Sequence, residues 1–279
     1  MNQISPPVDR LEPIKDLGGA AQPLLQVNGL TKHFPVRGEL FAARKTVRAV
    51  DDVSFSIAKG ETVGIVGESG CGKSTTARLL MHLMKRDAGE IIYDGMQVGE
   101  ALSLRELRRA MQMVFQDSYA SLNPRLTVEE SIAFGPKVHG MADGAARALA
   151  RELLGKVGLR PDTFANRYPH EISGGQRQRV NIARALALSP RLVILDEAVS
   201  ALDKSVEAQV LNLLADLKRE FGLTYLFISH DLNVVRYISD RVLVMYLGEV
   251  VELGPVDQVW DAPAHPYRSE ERRVGKECQ

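Results

Sequence analysis

The sequence contains the stretch Gly67-Glu68-Ser69-Gly70-Cys71-Gly72-Lys73-Ser74-Thr75, which matches the pattern G-x-x-x-x-G-K-[ST] of a phosphate-binding loop, or P-loop. Apolar residues 62–66 precede it and predict a strand, and residues 75–81 follow it and predict a helix. Glycines let N–H groups of the loop point at a triphosphate, and the N-terminal end of the helix dipole adds positive potential. Lys73 can reach the β- and γ-phosphates, and the Ser74 hydroxyl can ligate Mg²⁺. The loop therefore predicts a site for a nucleoside triphosphate.

Composition and charge exclude several other classes of protein. The 279 residues are 45% apolar, which is enough to bury the core of one large domain. The 35 basic and 35 acidic residues cancel, so no basic surplus indicates a nucleic-acid partner, and we expect none. The first residues lack the pattern of a signal peptide, and no apolar run reaches the roughly 18 residues that a membrane-spanning helix needs.

The chain has two cysteines, Cys71 in the P-loop and Cys278 near its end. They indicate neither a disulfide framework nor a metal site, and this cysteine usage fits a reducing cytosol. A redox role for Cys71 is conceivable, but a small residue packed into a tight loop is the simpler interpretation.

Strand and helix patterns alternate along the chain and predict an α/β fold with a mainly parallel sheet. Two continuous aliphatic runs, at 192–195 and 223–228, are typical of strands buried on both faces, and polar residues follow each of them. Further strands are predicted at 24–29, 47–57, 61–66, 90–94 and 111–116, and helices at 128–138, 144–157, 176–188 and 205–221.

The segment from about 117 to 187 differs from the rest because it is rich in helix patterns and lacks a strong strand. We interpret it as a helical subdomain inserted into the α/β core. Residues 1–22 are polar, contain Pro and Gly, and are interpreted as a loose lead-in. No internal repeat is visible, so the sequence predicts one nucleotide-binding unit rather than a tandem pair.

Several further features resemble the motifs of the ABC-transporter ATPases, and they occur in the family's order and strand context from about residue 24 to 267. They are the adenine-stacking aromatic Phe34, the Q-loop Gln116, the signature Ser173-Gly174-Gly175-Gln176 within residues 172–179, the Walker B strand 192–195 with Asp196 and the catalytic Glu197, the D-loop Ser200–Asp203 with Asp203, and the switch histidine His230. Each is weak by itself, but together they are specific for this family.

The resemblance implies an ABC ATP-binding domain over residues 23–260. This domain has a P-loop NTPase (RecA-like) core with an N-terminal antiparallel β subdomain, and the inserted helical subdomain carries the signature. It implies ATP hydrolysis with ATP and Mg²⁺ as cofactors. Lys73, Glu197 and His230 are then catalytic, with Glu197 as the general base and His230 at the γ-phosphate. ATP is bound by Phe34, Gly67–Thr75 and Gln116, Mg²⁺ by Ser74, Gln116 and Asp196. The signature and Asp203 then face the ATP of a second, paired ATP-binding domain.

Five segments resemble the ATP-binding subunits of oligopeptide, dipeptide, nickel and glutathione importers, namely residues 67–75, 115–124, 167–171, 244–248 and 265–267. Ser118 and Ala198 stand where that pattern usually has proline. The resemblance implies as partners two membrane permeases, a second ATP-binding subunit (a related chain or a second copy) and a periplasmic or lipid-anchored solute-binding protein. It implies a peripheral location on the cytoplasmic face of the bacterial inner membrane.

Two other functions are compatible with the same motifs. One is a non-transport ABC ATPase, such as an accessory subunit in phosphonate breakdown. The other is a catalytically inactive scaffold, which is disfavoured because Lys73, Asp196, Glu197 and His230 are all present.

The similarity to the importer subunits runs through His265-Pro266-Tyr267 and then stops, so residues 261–267 are interpreted as the start of a truncated C-terminal segment. Residues 268–278 correspond codon for codon to the translated read-through of a common sequencing adapter. We therefore interpret residues 268–279 as a tail derived from the adapter, with a natural charged tail as the alternative. Resequencing the source gene across codon 267 is expected to give other codons, and the same codons in adapter-free genomic DNA would contradict this interpretation.

Overall fold

The computed structural model describes residues 16–19, 21–36 and 45–261, and these form two compact units. The P-loop unit consists of residues 17–107 and 224–261 within those ranges, and the signature unit consists of residues 108–223 together with Asp16. The predictions for residues 1–15 and for everything after residue 261, including the interpretation of residues 268–279 as a tail derived from an adapter, lie outside the described residues.

Strands and helices are interspersed along the described part of the chain. The strands are β1 (Leu25–Val36), β2 (Lys45–Ile57), β3 (Thr62–Val66), β4 (Ala88–Tyr93), β5 (Met96–Gln97), β6 (Met111–Val114), β7 (Leu192–Asp196), β8 (Thr224–Ile228), β9 (Arg241–Tyr246) and β10 (Glu249–Pro255). The helices are α1 (Lys73–Leu80), α2 (Leu104–Ala110), α3 (Val128–Val138), α4 (Asp143–Lys156), α5 (Pro161–Phe164), α6 (Gly174–Leu186), α7 (Lys204–Phe221), α8 (Leu232–Ile238) and α9 (Val256–Asp261). None of these helices has both the length and the apolar composition needed to cross a membrane.

Two strand systems form the framework of the P-loop unit. β2, β1, β4 and β5 make an antiparallel sheet in that order, where the sequence predicted an antiparallel β subdomain. β3 pairs in parallel with β8 on one side and with β9 on the other, while β9 pairs antiparallel with β10. β3 and β8 are buried along their whole length, as their continuous apolar runs predicted. The predicted α/β class is confirmed, and β3 pairs in parallel with both of its neighbours.

β1 is longer than predicted, because it continues to Val36 where the sequence indicated a strand only to residue 29. Its second half pairs with β2 as far as Val36 opposite Lys45. This part of the strand is held by backbone hydrogen bonds to β2, and its residues show no apolar pattern from which a strand could be predicted. The pairing places Phe34 on the antiparallel sheet, opposite Val47.

The signature unit combines a parallel pair of strands, β6 and β7, with the helices α3 to α7. α3 begins with a capping box, in which Thr127 Oγ1 accepts from the Glu130 N–H at 3.2 Å and the Glu130 carboxylate accepts from the Thr127 N–H at 2.9 Å. Four α-helices and a 3₁₀ turn at Pro169–Glu171 fill residues 128–186, and no strand lies there. The bounds 117–187 of a helical subdomain stay a prediction.

Helix α6 begins at Gly174 and ends at Leu186, whereas the sequence predicted 176–188. Ser173 is its N-cap, and a second capping box joins Ser173 to Gln176. The first turn therefore contains both glycines of the signature, so their N–H groups lie at the helix N-terminus, where they have no intrahelical acceptor.

Candidate functional site

The P-loop is shaped by glycines in backbone conformations that other residues rarely adopt. Gly67 and Gly72 have φ angles of 147° and 110°. A Cβ atom on Gly67 would lie 2.2 Å from the carbonyl oxygen of Met245, and one on Gly72 would lie 2.1 Å from that of Ala49. Both positions therefore require glycine for their conformation and for their packing. The resulting loop runs from the end of β3 into the N-terminus of α1, where N–H groups and the helix dipole favour an anion.

Lys73, the first residue of α1, folds back over the loop. Its Nζ atom donates to the carbonyl oxygens of Gly67 at 2.7 Å and Glu68 at 2.8 Å, and it lies 3.9 Å from the Cys71 sulfur. The residue is 5% exposed. These partners are uncharged, so they orient the ammonium group without neutralising it. A buried, oriented cation beside a helix N-terminus fits the phosphates of a nucleotide.

Cys71 is buried in the loop, and burial raises the pKa of its thiol. The thiol therefore stays protonated near neutral pH, and a protonated thiol is a poor nucleophile. These features agree with a small packed residue rather than a reactive one.

His230 and the P-loop lie at the same edge of the sheet in the P-loop unit. β3 and β8 are parallel neighbours with Ile65 opposite Ile228, so their carboxyl ends meet, and the P-loop and Ser229–His230 follow directly. The Asp231 side chain caps α8 by accepting from the Asn233 N–H at 2.9 Å, and the Asp231 N–H donates to Ser229 Oγ at 3.0 Å. This turn leaves the His230 side chain exposed.

Phe34 is 37% exposed on β1, and Lys32 Nζ lies 5.5 Å from its ring centroid. An exposed aromatic face beside a cation is able to stack on a planar base. Its placement agrees with the adenine-stacking role that the resemblance implies.

In the signature unit, Gln116 and Glu197 are hydrogen-bonded to each other. Gln116 Nε2 donates to Glu197 Oε2 at 2.7 Å. The two residues follow β6 and β7, which are parallel neighbours with Val114 opposite Leu195. The structure therefore brings together two predicted site residues that are 81 positions apart in the chain.

Glu197 adopts a strained backbone conformation. Its φ angle is 47°, in the left-handed region that non-glycine residues rarely occupy. Its carbonyl oxygen accepts from both the N–H and the hydroxyl of Ser200, at 3.2 and 3.0 Å. This turn holds the carboxylate at the end of β7, directly after the buried Asp196. Such strain is typical of functional positions, where the surrounding structure imposes it.

The signature presents an exposed helix N-terminus. Ser173 is exposed, its hydroxyl accepts from the Gln176 N–H at 3.3 Å, and the Gln176 side chain accepts from the Ser173 N–H at 3.0 Å. A Cβ atom on Gly175 would lie 2.6 Å from Val206 Cγ1, so glycine allows α6 to pack closely on α7. Asp203 is exposed immediately before α7.

The predicted Mg²⁺ ligands Ser74, Gln116 and Asp196 offer a hydroxyl, an amide oxygen and a carboxylate, the oxygen donors that Mg²⁺ prefers. Within the described part of the chain, no three His, Cys, Asp or Glu side chains form a group able to hold a metal. An ion bound largely by phosphate and water needs no such group, and the Mg²⁺ role of these three residues stays a prediction.

The predicted residues divide between the two units. Phe34, Gly67–Thr75 and His230 lie in the P-loop unit, whereas Gln116, Ser173–Gln176, Asp196, Glu197 and Asp203 lie in the signature unit. The sequence did not indicate a role for Asn181 or Arg184, which hydrogen-bond the segment after Gln116. Neither residue belongs to one of the recognised motifs, so only the structure reveals these contacts.

Known proteins resemble this chain over most of its length. The oligopeptide transport ATP-binding protein OppF of Bacillus subtilis is 53% identical over 249 residues, which cover 88% of this chain and 79% of OppF. The glutathione import ATP-binding protein GsiA of Salmonella typhimurium is 54% identical over 250 residues, which cover 88% of this chain but only 40% of GsiA. The chain therefore corresponds to less than half of GsiA.

Solved structures agree with these relatives. The ATP-binding cassette MJ0796, in a dimeric post-hydrolysis state bound to ADP and Pi, superposes with a TM-score of 0.71 at 32% identity, covering 83% of this chain and 98% of MJ0796. CbiO1 of Clostridium perfringens, part of the ABC transporter complex cbiONQ, has a TM-score of 0.73 at 25% identity, covering 92% of this chain and 98% of cbiO1. Residues 50–200 match the ABC transporter family. With the P-loop, the Walker B strand and the signature in the family's order, the chain belongs to the ABC transporter family.

Proposed function

We propose that this chain is the ATP-binding and ATP-hydrolysing subunit of an ABC importer for peptides or related small solutes. The observation that carries the proposal is the P-loop, in which glycines with positive φ angles and the inward-folded Lys73 form a cradle for phosphate. OppF supports the importer class, because 79% of its length aligns with this chain at 53% identity. OppF and GsiA are both subunits of transport systems, which favours transport over a non-transport role such as phosphonate breakdown.

The P-loop residues Gly67–Thr75 bind the triphosphate, and Lys73 turns its ammonium group from the loop carbonyls towards the β- and γ-phosphates. Phe34 stacks on adenine. The oxygens of Ser74, Gln116 and Asp196 hold Mg²⁺, which supplies charge neutralisation at the phosphates when it is bound.

Glu197 accepts a proton from the attacking water as the general base. Gln116 holds the Glu197 carboxylate at 2.7 Å, so the base is oriented before the nucleotide arrives. His230, at the carboxyl end of β8, donates to the γ-phosphate and stabilises the charge that develops on it. Positioning and charge stabilisation account for the catalysis, as phosphoryl transfer requires little covalent chemistry from the protein.

Two ATP-binding domains complete each active site. The helix N-terminus at Ser173–Gln176, with Asp203 just before α7, binds the nucleotide held by the P-loop of a partner domain. The dimeric state of MJ0796 supports this pairing. The assembly further includes two permeases and a periplasmic or lipid-anchored solute-binding protein, and the chain lies peripherally on the cytoplasmic face of the inner membrane.

Deleting the gene tests the importer role. We expect the deletion to abolish uptake of a labelled peptide or of glutathione, and the wild-type gene to restore it. The Glu197→Gln gene should not restore uptake, because transport requires hydrolysis. Unchanged uptake of every peptide tested, together with a defect in growth on phosphonates, would favour the non-transport alternative.

We expect the partner in the dimer to be a related ATP-binding chain rather than a second copy of this chain. Co-purification with the permeases should therefore yield this chain together with a different ATP-binding subunit, and the isolated chain should be a weak ATPase because each half-site lacks its complement. The subunit composition can be measured by native mass spectrometry. A stable transporter with two copies of this chain and no other ATPase would contradict the heterodimer.

A further inference from the structure

Helix α6 contacts the segment Ser118–Ser121, which begins two residues after Gln116. Asn181 Nδ2 donates to the Ser118 carbonyl oxygen at 3.0 Å, and the Arg184 guanidinium donates to the Ser121 carbonyl oxygen. The guanidinium of Arg177 lies 5.5 Å from the ring centroid of Tyr119. The spacing of 177, 181 and 184 is about one helical turn, so the three side chains share one face of α6.

Placing the polar side chains of Asn181 and Arg184 at these positions costs desolvation free energy. Asn181 is 1% exposed, and its Oδ1 atom has no hydrogen-bond partner in the described part of the chain. A leucine would fill similar space without that desolvation penalty. Arg184 is half-buried, and burial lowers the pKa of its guanidinium, which nevertheless stays charged. The bonds to the two carbonyl oxygens are therefore the main polar interactions that these side chains gain.

Two backbone N–H groups of the segment are bound by Asp117, the residue after Gln116. Asp117 Oδ1 accepts from the N–H groups of Tyr119 and Ala120, both at 2.9 Å. The segment is thus held through its carbonyl groups by α6 and through its N–H groups by Asp117. Gln116, next to Asp117, donates to Glu197 at 2.7 Å.

The same helix begins at the signature. Ser173 caps α6, and Arg177 donates to the Ile172 carbonyl oxygen at 2.5 Å while its guanidinium lies over Tyr119. A continuous set of contacts within the signature unit therefore runs from the signature through α6 and Ser118–Ser121 to Gln116 and Glu197. A helix transmits a displacement of its N-terminus as a rigid element.

We propose that Asn181 and Arg184 are positioning residues that fix Ser118–Ser121 to the signature helix and thereby hold Gln116 against Glu197. The segment then moves together with the signature rather than independently of it. The consequence for hydrolysis rests on the proposed function of Gln116 and Glu197, whereas the attachment of the segment to α6 does not.

Hydrogen exchange tests the attachment in the full chain without nucleotide. Asn181→Leu and Arg184→Met each remove one bond to the segment, and Lys156→Met is the control, since Lys156 is a basic residue of the same unit that lies on α4 outside the signature and pairs with Glu220. Peptides covering 117–122 are expected to exchange roughly tenfold faster in the first two variants and at the wild-type rate in the control.

ATP hydrolysis by the same variants tests the positioning. We expect kcat to fall about ten- to a hundredfold, with KM for ATP within about twofold of the wild type, because the P-loop is untouched. Arg184→Lys keeps a charged donor and should recover part of kcat. Lys156→Met should retain kcat, and general damage to the fold would instead alter it together with the melting temperature.

The outcomes test separately the attachment of the segment to α6 and the positioning of Gln116. Wild-type exchange at 117–122 in folded Asn181→Leu and Arg184→Met, or equal acceleration in Lys156→Met, would overturn the attachment. Faster exchange with unchanged kcat would overturn the positioning of Gln116. If the wild-type chain neither binds nor hydrolyses ATP, the proposed function fails while the exchange result still decides the attachment. If Arg184→Met does not fold, Asn181→Leu and Arg184→Lys decide both points.

Discussion

Glu197→Gln is expected to lower ATP turnover about 100- to 10,000-fold while leaving ATP binding intact. The substitution removes the proton acceptor but keeps the shape of the side chain and an oxygen that can still accept from Gln116 Nε2. The backbone at this position, with its φ angle of 47°, is as accessible to glutamine as to glutamate. Lys73 and the loop N–H groups, which bind phosphate, are unchanged. ATP should therefore still close the dimer, and the dimer should persist because hydrolysis no longer releases it.

The matched control is Glu220→Gln, which removes an exposed carboxylate of the same unit that pairs with Lys156. We expect wild-type turnover from it. Phosphate release gives the rate, equilibrium binding of ATP gives the affinity, and light scattering after gel filtration in ATP gives the mass of the complex. Wild-type turnover in Glu197→Gln would contradict the assignment of the general base, and loss of ATP binding would show that Glu197 acts on the nucleotide itself.

The buried strands could be predicted from the sequence because their burial leaves a continuous apolar run. β3, β7 and β8 are buried throughout and mostly apolar, and each begins and ends within about one residue of its predicted bounds. α3 was predicted to the residue, since its capping box and apolar spacing lie in the local sequence. The Ser173 capping box is equally local and would have placed the start of α6 at Gly174.

Other elements could not be predicted because their signals are short or depend on a neighbour. α8 has 7 residues, fewer than the two turns over which helical periodicity becomes visible. β10 is partly exposed and carries an irregularity in its pairing with β9 between Val250 and Glu252, so it lacks clean alternation. β1 beyond residue 29 is extended through its bonds to β2.

In the candidate site, too, some features follow from the local sequence and others depend on tertiary contacts. The identity and spacing of Gly67–Thr75 predict a phosphate cradle, because that chemistry depends on local backbone freedom and a helix N-terminus. The bond between Gln116 and Glu197 joins residues that only the pairing of β6 with β7 brings together. The strained backbone of Glu197 and the contacts of Asn181 and Arg184 likewise depend on tertiary structure.

Lys73→Ala is expected to give the opposite result to Glu197→Gln and to weaken ATP binding itself, about 10- to 100-fold. A charge-assisted hydrogen bond of a buried ammonium to phosphate contributes about 1.5–3 kcal/mol, which corresponds to that loss of affinity. Alanine also removes the donor to the Gly67 and Glu68 carbonyl oxygens, so the loop loses part of its preorganisation.

Lys85→Ala, at an exposed lysine of the same unit, is the control and should bind ATP as the wild type does. Calorimetric titration with a non-hydrolysable ATP analogue gives the affinity, and the melting temperature of each variant shows whether the fold is retained. A folded Lys73→Ala variant that binds the analogue within about twofold of the wild type would contradict the role of the loop in phosphate binding. Lost affinity in Lys73→Ala with retained affinity in Glu197→Gln would assign binding to the P-loop and hydrolysis to the end of β7.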